Sequence, residues 1–160
     1  MRGNRMHYFA YGSNMDLDRM RGRCPSARFL FIAMLPQHKL AFTRKCNKGT
    51  GVSDIVSDEN SDVWGVVYLI DDTEVGKLEK AEGYEPRRES NAYNRIEIRV
   101  YADGNLEQPH TAIAYVVNVK EVNVPNPSQE YKNYIVNGAR FWHLPEVYIH
   151  DTLETIEAFP

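Results

Sequence analysis

The chain has 160 residues, 42% hydrophobic and 26% charged, and its 19 Lys and Arg against 22 Asp and Glu leave a formal charge of −3. That length predicts one domain, residues 1–160, while the mild negative charge argues against nucleic acid or anionic lipid as a partner. No apolar run reaches the ~20 residues of a membrane span or resembles a signal peptide, and two cysteines, Cys24 and Cys46, are too few for a disulfide scaffold, so the cytoplasm is the expected address.

Residues 7–11, His-Tyr-Phe-Ala-Tyr, predict a short strand that ends at Gly12. Asn14 or Asp16 can cap a short helix just beyond it. The apolar run 28–35 predicts a strand buried on both faces. Pro36 is expected to end that strand, with 38–44 as its antiparallel return. A polar loop at 45–51 separates this from strands at 52–57 and 63–70. Asp71 and Glu74 have the spacing of a capping box, opening a helix to about Ala81 with Gly83 as its C′ residue. Two longer strands, 89–102 and 110–119, flank the turn signal Asp103-Gly104. Ser128 can cap a helix over 129–141, which places Tyr131, Ile135 and Ala139 on one face. Pro145 is suited to the first position of a last helix running to about 157. Six to seven strands and about four helices, not strictly alternating, predict an α+β fold with a mixed β-barrel.

Three groups of residues could carry chemistry. Tyr8-Phe9-Ala10-Tyr11-Gly12-Ser13-Asn14 passes from a strand into a helix start, where backbone amides can face outward and grip an anion or oxyanion. On spacing alone a plain turn with a helix cap is the commoner outcome. Glu82 stands at the last turn of the helix that Asp71 opens, near the negative end of its dipole, which disfavours ionisation and suits a base that later returns its proton. A solvated helix-end glutamate is the simpler alternative. Glu79 lies one turn earlier. The tyrosines Tyr84, Tyr93, Tyr115, Tyr131 and Tyr134 are candidates for polar handles on an apolar pocket, although core positions account for most tyrosines. Arg87 and Arg88 could meet a substrate carboxylate or simply edge a strand. The five histidines have no metal-ligand spacing, and no P-loop or hydrolase elbow is present.

Taken together, these residues resemble the γ-glutamylcyclotransferase-like (AIG2-like) family. The resemblance rests on the 8–14 motif and then, in order, on Pro25-Ser26-Ala27, Val63-Trp64-Gly65-Val66-Val67 and Leu78 to Glu82-Gly83. It continues through Tyr93 before Ile96-Glu97-Ile98, Pro127 to Lys132, Gly138-Ala139 and Leu144 to Tyr148. It covers roughly residues 6–157, and its C-terminal part is closer to the γ-glutamylcyclotransferases proper than to the shorter γ-glutamylamine cyclotransferases.

The resemblance implies a small mixed barrel with surrounding helices. It also implies cyclisation of a γ-glutamyl amide to 5-oxoproline with release of the amino acid or amine. The family's catalytic glutamate falls on Glu82, its substrate loop on Tyr8, Phe9, Ala10, Tyr11, Gly12 and Ser13 with Asn14 closing the motif, and a substrate-contacting tyrosine on Tyr131. No metal or cofactor is expected, the partner is a small γ-glutamyl substrate, and a homodimer is allowed. A γ-glutamyl amine as substrate, or a binder of small ligands without turnover, are the alternatives. The loop at 45–51 and the charged stretch 84–90 are the least family-like parts and leave the leaving group open.

Overall fold

The structure is a computed structural model that describes residues 4–81 and 92–159. Strand β1, Arg5–Ala10, is followed by a single 3-10 turn at Ser13–Met15 and helix α1 at Leu17–Arg23. Two long strands come next, β2 at Arg28–Lys45 and β3 at Gly51–Asp71, then α2 at Asp72–Ala81. The hairpin of β4, Tyr93–Ala102, and β5, Pro109–Val117, precedes α3 at Gln129–Phe141 and a last short helix α4 at Glu146–Tyr148. The strands close into a barrel in the order β1-β3-β2-β4-β5. All pairings are antiparallel except β1 with β5, which is parallel through Tyr8 and Ile113. The expected α+β mixed barrel is therefore present.

Its strands are fewer and longer than the sequence pattern suggests. Pro36 does not end β2, and 38–44 is not a return strand. Gln37 takes a positive φ of 59° and donates its amide to Asp62 Oδ1. Opposite it, residues 58–61 of β3 bulge out, between the pairs Pro36↔Asp62 and His38↔Ser57. The kink is absorbed by both strands together, so pairing resumes and the two halves of each remain one strand.

Alternation along β1 divides the core in two. Phe9 and Tyr11 pack with Ala33, Leu35, Ile55, Val63, Val67, Val100, Ala112 and Ala114. Tyr8 and Ala10 point the other way, into a larger cluster with Tyr68, Ile70, Val75 and Leu78 and with the buried faces of the helices, including Met15, Met20, Ile135, Ala139 and Leu144. Ile135 and Ala139 are buried, as the helical spacing of α3 predicts. Ser128 caps that helix by accepting a hydrogen bond from the Tyr131 amide, and Asp16 caps α1 through the Arg19 amide.

Two local signals resolve differently. The Asp71–Glu74 capping box does not form, because Glu74 reaches across to accept the Ser26 amide at 2.8 Å while the Asp71 amide donates to Ser26 Oγ. Pro145 stands before α4 as its cap rather than inside it. The helix then widens to a π-type turn at Ile149–Leu153 and stops short of 157. The last described residue, Phe159, donates its amide to Pro127 O and so ties the tail to the start of α3. Among the described residues no helix is long and apolar enough to cross a membrane.

Candidate active site

The turn after β1 is held from below. Tyr68, fully buried, donates its hydroxyl to the carbonyls of Asn14 and Met15. Trp142, at the end of α3, stacks on Phe29 with ring centroids 4.0 Å apart and donates its indole N–H to Met15 O at 2.9 Å. The Met15 and Asp16 amides close the turn onto Gly12 O and Ser13 O. The turn is therefore a rigid frame that holds Gly12 and Ser13 in place.

These residues line one side of a cleft of about 340 Å³, large enough for a small amino-acid derivative. Its wall includes Tyr8, Tyr11, Gly12, Ser13 and Asn14 from the 8–14 motif, Tyr93 and Tyr115 from the β4–β5 hairpin, and Tyr131 from α3. Phe9 and Ala10, which the sequence reading grouped with the motif, do not line it; both are fully buried, with Phe9 in the barrel-side cluster and Ala10 in the helix-side one. Tyr134 lies outside the cleft, with the Arg19 guanidinium 4.8 Å above its ring. Glu82, Gly83, Tyr84, Arg87 and Arg88 fall outside the described residues. The described residues on either side of that stretch, Ala81 and Ala92, both line the cleft.

Ser53, in β3, joins the two halves of the wall and has no local sequence signal. The Tyr131 hydroxyl accepts the Ser53 amide at 3.0 Å and lies 2.9 Å from Ser53 Oγ, while Tyr93 donates to Ser53 O. Gly12 packs closely at this junction, where a Cβ would stand 2.2 Å from Ser53 Oγ and turn that hydroxyl away from Tyr131. The next residue, Asp54, is fully buried. It accepts from Thr43 Oγ1, the Val117 amide and Lys120 Nζ, which fixes the β2–β3 arm against β5. Buried carboxylates with this many donors are rigid anchors.

The described lining of the cleft is one-sided in charge. Arg19, Arg23, Arg44 and Lys45 line it, and none of its described lining residues is Asp or Glu. Arg19 donates to Ser13 Oγ and Arg23 to Asn14 Oδ1, while Asn14 donates in turn to the Tyr8 hydroxyl. Such a cleft attracts an anionic ligand and presents it with backbone and hydroxyl donors. Among the described residues no group of three or more His, Cys, Asp or Glu side chains is placed to hold a metal ion. Of the cysteines, Cys24 is buried and Cys46 half-buried at the cleft.

Glu79, one turn before the end of α2, is 5% exposed. It faces Arg95 of β4 at 3.6 Å, and its second oxygen has no hydrogen-bond partner among the described residues. Burial raises its carboxyl above the ordinary value of 4.5, against the Arg95 guanidinium and the Tyr115 hydroxyl, which pull it down. Between the unfolded and folded pKa values the folded protein holds the extra proton. The stability this group contributes is then complete below about 4.5 and is lost as pH rises through the folded value. Melting temperatures of wild type and Glu79→Gln across pH 4–8 are expected to show it: wild type loses ground to the variant as pH rises. Parallel curves would contradict the burial argument.

The model of the AIG2-like family matches residues 62–152. The gamma-glutamylcyclotransferase of Mus musculus is 33% identical over 160 residues, covering 97% of this chain and 80% of its own. That of Homo sapiens is 33% identical over 155 residues, covering 94% and 78%. A solved structure named gamma-glutamyl cyclotransferase superposes with a TM-score of 0.86 at 30% identity, over 98% of this chain and 90% of that one. The motif turn, the barrel that carries it and these relatives converge on one statement: the chain belongs to the AIG2-like family of gamma-glutamylcyclotransferase relatives.

Proposed function

We propose that the protein is a γ-glutamylcyclotransferase, which converts a γ-glutamyl amino acid to 5-oxoproline and the free amino acid. The observation that carries this is the cleft itself. Its lining includes Gly12 and Ser13 of the motif turn, its described wall is cationic, and Ala81, immediately before Glu82 in the chain, reaches the same cleft. The relatives named for this activity support the same reading.

The substrate enters as an α-ammonium, which cannot attack. Glu82, as carboxylate, takes one proton from it. The freed amine forms a bond to the γ-carbonyl carbon and closes a five-membered ring. The carbonyl oxygen becomes an oxyanion, which the Gly12 and Ser13 amides are suited to stabilise. As the carbonyl re-forms, the bond to the leaving nitrogen breaks and protonated Glu82 returns its proton there, while the ring nitrogen, NH2+ after the attack, passes its second proton to the regenerated carboxylate and on to the released amine, which leaves as an ammonium. The nucleophile and electrophile belong to one molecule, so holding the folded conformer supplies much of the rate. The balance consumes no water.

Tyr131 positions this wall through Ser53. Tyr131→Phe keeps the ring and removes the acceptor of the Ser53 amide, and is expected to lower kcat/KM roughly tenfold with a preserved fold. Unchanged kinetics would remove Tyr131 from the site. The function itself is tested by 5-oxoproline release from γ-glutamyl-alanine and a panel of γ-glutamyl amines. Preference for the amino-acid conjugate supports the proposal; preference for the amines moves the activity to a γ-glutamyl amine metabolite, and no product from any of them overturns it.

A further inference from the structure

The cleft holds four described cations, and they are not equivalent. Arg19 and Arg23 are engaged with Ser13 and Asn14. Arg44 and Lys45 line the cleft with no ion-pair or hydrogen-bond partner for their side-chain nitrogens among the described residues. No described carboxylate in the lining neutralises them. Lysine and arginine on a protein surface are usually solvated and mobile, but these two sit on an anchored arm. Arg44 pairs with Val52 and Lys45 with Gly51 in the β2–β3 ladder. The Gly51 amide donates to Asn126 O, and a Cβ at Gly51 would stand 2.5 Å from Pro125 O, so the arm is pressed against that segment. The Thr43–Asp54–Lys120 network fixes it from the other face, and there Asp54 already answers the Lys120 charge. The arm is next to Ser53, which abuts Gly12, so one continuous wall runs from Gly12 to two cations that no described carboxylate compensates.

We propose that Arg44 and Lys45 form the leaving-group subsite and determine its specificity, favouring γ-glutamyl conjugates whose released amino acid has an acidic side chain. The inference rests on the cyclotransferase reading and adds the substrate class. A leaving amino acid brings one α-carboxylate, and a lining that contains both Arg44 and Lys45 has a second cation for a side-chain carboxylate. Their fixed backbone lowers the ordering cost of that contact. A charge-assisted hydrogen bond is also stronger than a neutral one.

The test compares γ-glutamyl-glutamate with γ-glutamyl-glutamine, which match in size and differ by one charge. 5-Oxoproline release is followed at low salt and at about 0.5 M salt, where exposed charges are largely screened. Wild type is expected to prefer the glutamate conjugate about tenfold in kcat/KM, through KM, and to lose much of that preference in salt. In the double variant R44Q/K45Q, with its fold checked by melting, the ratio is expected to approach one. A wild-type ratio near one, or a ratio that the double variant leaves intact, overturns the proposal. An equal loss on both substrates also overturns it, because it assigns the two side chains to the glutamyl half. Absence of product from both conjugates and from γ-glutamyl-alanine is a different result: it overturns the cyclotransferase reading on which the subsite depends.

Discussion

Glu82→Gln is expected to lower kcat by roughly 10²- to 10⁴-fold, the range for loss of a general acid–base group, with KM nearly unchanged. The reaction proposed here needs one group twice, first to remove a proton from the substrate ammonium and then to supply one to the leaving nitrogen. Glutamine keeps the size and hydrogen-bonding capacity of the side chain but can do neither. Binding of the γ-glutamyl unit, assigned to the motif turn and the cationic wall, does not depend on that proton. The variant should therefore melt near wild type, bind a γ-glutamyl conjugate in calorimetry and fail to turn it over. Near-native turnover would remove Glu82 from the mechanism and direct attention to Glu79, a buried carboxylate one turn earlier that already pairs with Arg95.

Gly138→Ala is expected to have the largest effect on stability. A Cβ at this position in α3 would stand 2.5 Å from Met15 C and 2.7 Å from both Met15 O and Asp16 N. All three are backbone atoms of the turn and the α1 cap, so no side chain can swing away. The helix must retreat, which pulls Trp142 off Phe29 and off Met15 O. Alanine gains about 1 kcal/mol over glycine in helix propensity, but overpacking against a fixed backbone costs more. A net loss of about 2 kcal/mol is expected, lowering Tm by roughly 4–8 °C for a domain of this size. The same retreat loosens the turn that holds Gly12 and Ser13, so kcat/KM should fall with Tm. A variant that melts higher than wild type would show that propensity outweighs the contact and that α3 does not brace the turn.

The parts of this molecule that sequence reveals are those decided within a few residues. The motif turn, the Asp16 and Ser128 caps and the buried stripe of α3 follow from local backbone chemistry, and the structure contains each of them. Features decided by partners far along the chain were not legible. Pro36 reads as a stop because its own strand cannot show the bulge opposite it in β3. The Asp71–Glu74 spacing reads as a capping box because Ser26, the group that captures Glu74, lies 48 residues away. Ser53 has no motif and enters the site only through Tyr131, 78 residues later. Arg44 and Lys45 read as ordinary strand-end cations until the barrel brings them into one cleft lining with Gly12, where no described carboxylate answers them.

The most direct test of the account is to run the wild-type reaction on γ-glutamyl-alanine in ¹⁸O-labelled water and identify the products by mass spectrometry. Intramolecular cyclisation predicts unlabelled 5-oxoproline and alanine in equal amounts. Glutamate carrying one ¹⁸O would mean that water attacks the γ-carbonyl, and would contradict the account at its centre.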